Sequence, residues 1–190
     1  MKNVDFLNNL IFLKGLDISA NEIEDISPIS RLLNLEQLNI RNNRIKSITD
    51  LSKLKKLRFL DIASNKLTDI SGLSNAKKLR YLNLTDNRIL NLINMSGFKD
   101  LKYLSVGKNP IDNFDTFNPP ENLKLLDLNS LSHSDRNTST SFRKDLLSFA
   151  ESEEEVDWLD QIINGESLIN SPYRPRELQT YQRKNRSKKI

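Results

Sequence analysis

The side chains that start most enzymatic chemistry are scarce in this chain. It holds one histidine, His133, and no cysteine. Neither an imidazole pair nor a thiolate set is there to hold zinc. A histidine-based triad would have to recruit His133 with a nucleophile and an orienting acid, and no serine sits in a G-x-S-x-G elbow. The five glycines, at 15, 72, 97, 107 and 165, are too dispersed to cradle a phosphate. The inventory points away from an enzyme and implies no cofactor and no metal. The lack of cysteine also removes disulfides and favours a reducing compartment.

The remaining chemistry is charge. The net +4 joins unlike segments: residues 1–130 carry 19 Lys+Arg against 15 Asp+Glu, residues 131–173 carry 3 against 9, and residues 174–190 carry 7 against 1. The acidic run Glu151, Glu153, Glu154, Glu155 and Asp157 offers carboxylates to a cation, but it also sits where a helix begins, and a helix N-terminus favours acids. "SPYR", Ser171 to Arg174, matches the S-P-x-R pattern preferred by cyclin-dependent kinases. Ser171 is therefore a candidate phosphosite between an acidic block and a basic tail. A basic column of Lys14, Arg58, Arg80, Lys102 and Lys124, interrupted by Glu36 and backed by Lys55, Lys56, Lys77 and Lys78, could meet phosphates. Lysine or arginine between two leucines is ordinary solvated surface, however, and no aromatic ladder accompanies the tail "RKNRSKK", so a nucleic-acid partner is not favoured. No stretch approaches the roughly 18 apolar residues of a membrane span, and Asp5, Asn8 and Asn9 break up the first residues where a signal peptide would be apolar. No membrane partner is expected.

The elements that carry these residues repeat. Asn21, Asn43, Asn65, Asn87 and Asn109 fall at intervals of 22 residues, behind the frames "LKGLDISAN", "LEQLNIRNN", "LRFLDIASN", "LRYLNLTDN" and "LKYLSVGKN". A sixth frame, "LKLLDLNSL", ends in Leu131 where the asparagine is due. The pattern L-x-x-L-x-L-x-x-N resembles the leucine-rich repeat, in the 22-residue class of intracellular phosphatase regulators and internalins. The resemblance covers residues 1 to about 131. It implies an α/β repeat solenoid, a right-handed leucine-rich-repeat arc of about six turns with a parallel concave sheet. In "FLDIA", Leu60 and Ile62 point inward while Phe59, Asp61 and Ala63 point outward. The asparagine ladder then reads as architecture, each amide satisfying main-chain groups where the chain leaves the strand.

Two outward columns follow. Asp17, Asn39, Asp61, Asn83, Ser105 and Asp127 form a small polar column, which either offers hydrogen bonds to a ligand or only suits exposed strand positions. Gly15, Gln37, Phe59, Tyr81, Tyr103 and Leu125 form its neighbour, with three aromatics in a row about 5 Å apart. The resemblance implies no second layer on the concave face, so the rings are expected to be partly exposed. With Asp61, Asn83, Arg41, Asp86 and Lys108 beside them they make the candidate partner-binding surface. Mutual stacking that only stiffens the sheet is the competing explanation.

At the ends, the apolar phase runs back through Leu13, Leu10, Leu7 and Val4 to Met1. A solenoid that starts in mid-repeat predicts a truncated first repeat and a piece of a longer protein, with a short natural chain whose first half-repeat serves as its cap as the alternative. Beyond Leu131, "SFRKDLLSFA" spaces Phe142, Leu146 and Phe149 as a helix would, and "SEEEVDWLDQIING" has a capping box of Ser152 and Glu155, a stripe of Val156, Leu159, Ile162 and Ile163, and Gly165 past its end. Residues 132–165 are expected to be a C-terminal helical cap, with Trp158 off the stripe, and residues 166–190, with Pro172 and Pro175, an extended basic tail. The family resemblance implies a non-catalytic protein-interaction domain inside the cell. A repeat array of this kind followed by a cyclin-kinase-like site also resembles the C-terminal domain of fungal spindle-pole scaffolds, which implies a spindle-pole, cytoskeletal phosphoprotein of the cell cycle that recruits a small-GTPase regulator or signalling kinase component. An internalin-like effector or toxin-neutralising protein, and the substrate-recognition module of an enzyme whose catalytic domain lies elsewhere, are the alternatives.

Overall fold

The computed structural model describes residues 1–93, 95–112 and 117–128. The expected helical cap and tail, with His133, the acidic run, Trp158 and Ser171, lie outside the described residues. Within them the chain winds as a stack of coils, each with a three-residue strand on one side and, in the first four, a short 3-10 helix on the other.

The strands are β1 (Gly15–Asp17), β2 (Gln37–Asn39), β3 (Phe59–Asp61), β4 (Tyr81–Asn83), β5 (Tyr103–Ser105) and β6 (Leu125–Asp127). They form a single parallel sheet in sequence order. Its register follows the sequence period, Gly15 pairing with Gln37, Phe59 with Tyr81, and Tyr103 with Leu125. Because side chains alternate along a strand, the middle residues Leu38, Leu60, Leu82 and Leu104 all point one way and are fully buried. They belong to one continuous apolar core that runs from Val4 to Val106.

The opposite wall is made of η1 (Asp5–Asn9), η2 (Ser27–Arg31), η3 (Thr49–Lys53) and η4 (Ser71–Leu73). These segments are too short for an α-helix to be stable. A polar side chain two residues ahead accepts from the first amide of each: Asn3 from Asp5 at 2.6 Å, Asp25 from Ser27 at 2.8 Å, Ser47 from Thr49 at 3.4 Å and Asp69 from Ser71 at 3.1 Å. Packing between these turns is tight. A Cβ added to Gly72 would lie 2.2 Å from the Ile48 carbonyl oxygen, so glycine is required there.

The chain leaves each of the first five strands through a residue in the left-handed region: Ala20 (φ 53°), Asn42 (54°), Ser64 (54°), Asp86 (59°) and Lys108 (52°). None is glycine, although non-glycine residues pay for this conformation. What over-determines it is the asparagine that follows. Asn65 Nδ2 donates to the carbonyls of Ile40, Ile62 and Ala63 at 3.0, 3.2 and 3.2 Å, and its Oδ1 accepts from the Ile45 amide at 3.0 Å. Asn43, Asn87 and Asn109 repeat the set in their own coils. At Asn21 the amino group of Met1 supplies the equivalent donor at 2.8 Å.

Candidate protein-binding face

On the outward side of the sheet, the polar column is a hydrogen-bond ladder. Asp61 accepts from the Ala63 amide at 3.0 Å through Oδ1 and from Asn83 Nδ2 at 3.2 Å through Oδ2. Asn83 Oδ1 in turn accepts from the Thr85 amide at 3.1 Å. Asn39 donates to Asp17 at 3.2 Å, the Thr85 and Ser105 hydroxyls are hydrogen-bonded, and Ser105 donates to Asp127 at 2.9 Å. Asp17, Asn39, Asp61 and Asn83 thus each close the turn of their own coil, and the ladder ties neighbouring coils together. Asp61 and Asn83, at 1% and 0% exposure, are committed to this ladder and are not displayed to a ligand.

Beside the ladder runs the aromatic row. Phe59, Tyr81 and Tyr103 are 3%, 2% and 1% exposed, not the partly exposed rings expected from the sequence. They are also outside the continuous apolar core, whose strand contributions are the inward leucines. Tyr81 and Tyr103 stack with ring centroids 4.6 Å apart and planes 9° from parallel. Stacking covers one face of each ring and leaves its outer edge, so it does not by itself account for such complete burial. Arg80 on the leading edge is also buried, at 6%, where solvated surface was expected. Arg58, Phe59, Arg80, Tyr81, Lys102 and Tyr103 all have interaction partners.

The other candidate residues lie where the chain leaves the strands. Asp86 and Lys108 are exposed at the left-handed turns. Arg41 is half-buried, and its Nη1 is a buried side-chain donor without a hydrogen-bond acceptor, the only such side-chain atom among the described residues. On the leading edge, Lys56, Arg58, Lys78, Arg80, Lys99 and Lys102 line an open groove shared with Glu36, Asp100 and Asn122. The structure thus brings much of the basic column together in one groove, and none of the three rings lines it. Sequence reasoning missed the burial of Arg80. The available signal was its position between neighbouring arginine and lysine in the column, directly before a ring in the row.

Among the described residues no group of three or more His, Asp or Glu side chains could hold a metal ion, and no helix is long and apolar enough to cross a membrane. The open groove offers guanidinium and ammonium groups, which is binding chemistry, while the stacked rings of the sheet are covered.

Residues 33–75 match the family description Leucine Rich repeats (2 copies). A comparison with curated protein sequences finds no match. Among solved structures, internalin C2 from Listeria monocytogenes is 29% identical with a TM-score of 0.63, over 67% of this chain and 57% of that one. This chain therefore spans little more than half of that relative. The leucine-rich-repeat ectodomain of the receptor kinase SOBIR1 from Arabidopsis thaliana is 28% identical with a TM-score of 0.52, over 57% of this chain and 62% of that one. The plant peptide hormone receptor RGFR1, solved in complex with RGF2, is 22% identical with a TM-score of 0.52, over 57% and 19% of the two chains, and shares the fold alone. Sequence period, sheet register and structural likeness agree that the described chain is a leucine-rich-repeat solenoid.

Proposed function

We propose that this protein is a non-catalytic binding module that takes a protein partner on its concave face, through Phe59, Tyr81 and Tyr103. The observation that carries this reading is the row itself: three aromatic side chains, buried yet outside the core, on the face of the sheet that has no packing duty within the repeats. Desolvated aromatics flanked by arginine are the usual anchors of a protein interface. Asp86 and Lys108 form the exposed rim, whereas Asp61 and Asn83 hold the frame. Leucine-rich repeats are typically interaction modules, in keeping with the scarcity of catalytic side chains.

The finer reading, an intracellular spindle-pole scaffold that recruits a small-GTPase regulator or signalling kinase component, rests on the sequence resemblance alone. A second reading has a specific observation in its favour. The likeness to internalin C2 at 29% identity supports an internalin-like binding protein, with a protein surface as the target.

The test is affinity purification with the full chain beside a Phe59→Ala/Tyr81→Ala/Tyr103→Ala variant whose fold is checked by circular dichroism. Proteins recovered by the native chain and lost by the variant support the concave face as the binding surface. Undiminished recovery by a folded variant removes it.

A further inference from the structure

Each coil enters its strand through a two-residue turn on the leading edge, at 11–12, 33–34, 55–56, 77–78, 99–100 and 121–122, and these turns are not alike. The first two hold Ile11, Phe12 and Leu33, whereas the next three hold Lys55, Lys56, Lys77, Lys78 and Lys99. Side chains join them into one edge. Asn34 Nδ2 donates to the Ile11 carbonyl at 3.1 Å, and Lys56 Nζ donates to Asn34 Oδ1 at 2.7 Å. The edge therefore passes without a break from an apolar end to a basic stretch.

Both halves are open to solvent. Phe12 is 83% exposed, Leu33 54% and Ile11 47%, while the neighbouring Leu13 and Leu35 fill the core positions of the same coils. Leu33 has a coil on either side, so its exposure is not an effect of the end of the stack. Such a patch is where a partner gains by excluding water. Among the described residues Lys55, Lys56, Lys78 and Lys99 take part in no ion pair, whereas Glu22, Glu24 and Glu36 of the second coil are each paired. The unspent positive charge thus lies on the turn lysines. Arg58, Arg80 and Lys102, on the same groove, have partners of their own. The groove has a volume of about 560 Å³ and runs from the coil of Glu36 to that of Asn122. Four strand spacings make that about 19 Å, the length of about six residues of extended chain. Its shape and lining choose among polyanions. A flat bilayer does not enter a groove, and a single-stranded nucleic acid finds no ring to stack on within it. A peptide sets an uncharged residue opposite Glu36 or Asp100, where a continuous phosphate chain would meet like charge.

We propose that the leading edge is a separate docking surface for an extended acidic segment of a protein partner, with carboxylates over Lys56, Lys78 and Lys99 and an apolar side chain over Ile11, Phe12 and Leu33. The two halves do different work. Lysines at a regular spacing attract an acidic segment but let it slide from one register to the next, and their pull is screened by salt. The apolar end fixes the register and the direction of the bound chain. None of Phe59, Tyr81 and Tyr103 belongs to this surface, so it stands or falls apart from the function proposed for the concave face.

The test uses the full chain and three fluorescein-labelled decapeptides of alternating Glu and Ser, with Phe-Leu at the N-terminal end, at the C-terminal end, or replaced by Ser-Ser. Affinity is read by fluorescence anisotropy and the site by amide chemical shifts. One of the two Phe-Leu peptides should bind several-fold tighter than the Ser-Ser peptide, with shifts at the turns from 11–12 to 99–100. A Lys56→Glu/Lys78→Glu/Lys99→Glu variant, folded by circular dichroism, should bind all three roughly tenfold more weakly or worse, and the corresponding glutamine variant should fall between. Phe12→Ser/Leu33→Ser should abolish the preference for Phe-Leu and keep the salt-sensitive remainder. Equal affinity for the three peptides, no shifts at these turns, or undiminished binding by the glutamate variant would each overturn the proposal. So would tighter binding of a thymidine decanucleotide or of phosphatidylserine-containing vesicles than of any peptide, or turn shifts that follow protein concentration and mark a second copy.

Discussion

The outward row over β3 to β5 and the last coil at β6 differ in a direction that simple repeat architecture does not give. At β6 the inward Leu126 is only half-buried and Leu128 is 48% exposed, while the inward leucines of β2 to β5 are fully covered. The row faces away from the core, yet Tyr103 is 1% exposed. The core side of the final coil is thus open, and the solvent side of the middle coils is closed. Burial in this molecule therefore does not follow from which way a side chain points alone.

The comparison can be tested by substitution, with stability read from urea unfolding. The largest effect belongs to the core of the middle coils: Leu82→Ala should cost about 2–5 kcal/mol, and Leu126→Ala, at the open end, about half as much or less. Equal costs would mean that the last coil is covered after all. Tyr81→Ala should cost about 3 kcal/mol, because a buried, stacked ring is lost, whereas Leu125→Ala in the same column should cost about 1 kcal/mol. A Tyr81→Ala cost as small as that of Leu125→Ala would indicate an exposed ring. Gly72→Ala should cost about 1–3 kcal/mol through the clash with the Ile48 carbonyl. Asn65→Leu falls in a similar range, about 1–3 kcal/mol, since it strands three carbonyls and one amide, and both of these costs should be independent of the concave face. The smallest effect is a gain: Lys108→Gly removes the left-handed penalty at an exposed turn and should add a few tenths of a kcal/mol.

Much of the frame was legible because a period of 22 is a long-range constraint written locally. Once five asparagines fall in phase, the register of Phe59 with Tyr81 and Tyr103 follows. The left-handed residues were not legible, because Ala20, Ser64 and Lys108 carry no glycine signal and their conformation is imposed by the asparagine that follows. Asp61 and Asn83 looked like display groups, since a repeat read alone does not show that each carboxylate or amide is consumed by its own turn and the adjacent coil. The exposure of Phe59, Tyr81 and Tyr103 was misjudged for a related reason. A strand pattern says which face a ring is on and nothing about what covers that face.

Hydroxyl-radical footprinting of the full chain tests the covered concave face most directly, because Phe12 at 83% exposure provides an internal reference for an open aromatic ring. Oxidation of Phe59, Tyr81 and Tyr103 far slower than that of Phe12, with Leu128 reacting readily, is the expected result. Rings in the row that oxidise as fast as Phe12 would contradict it.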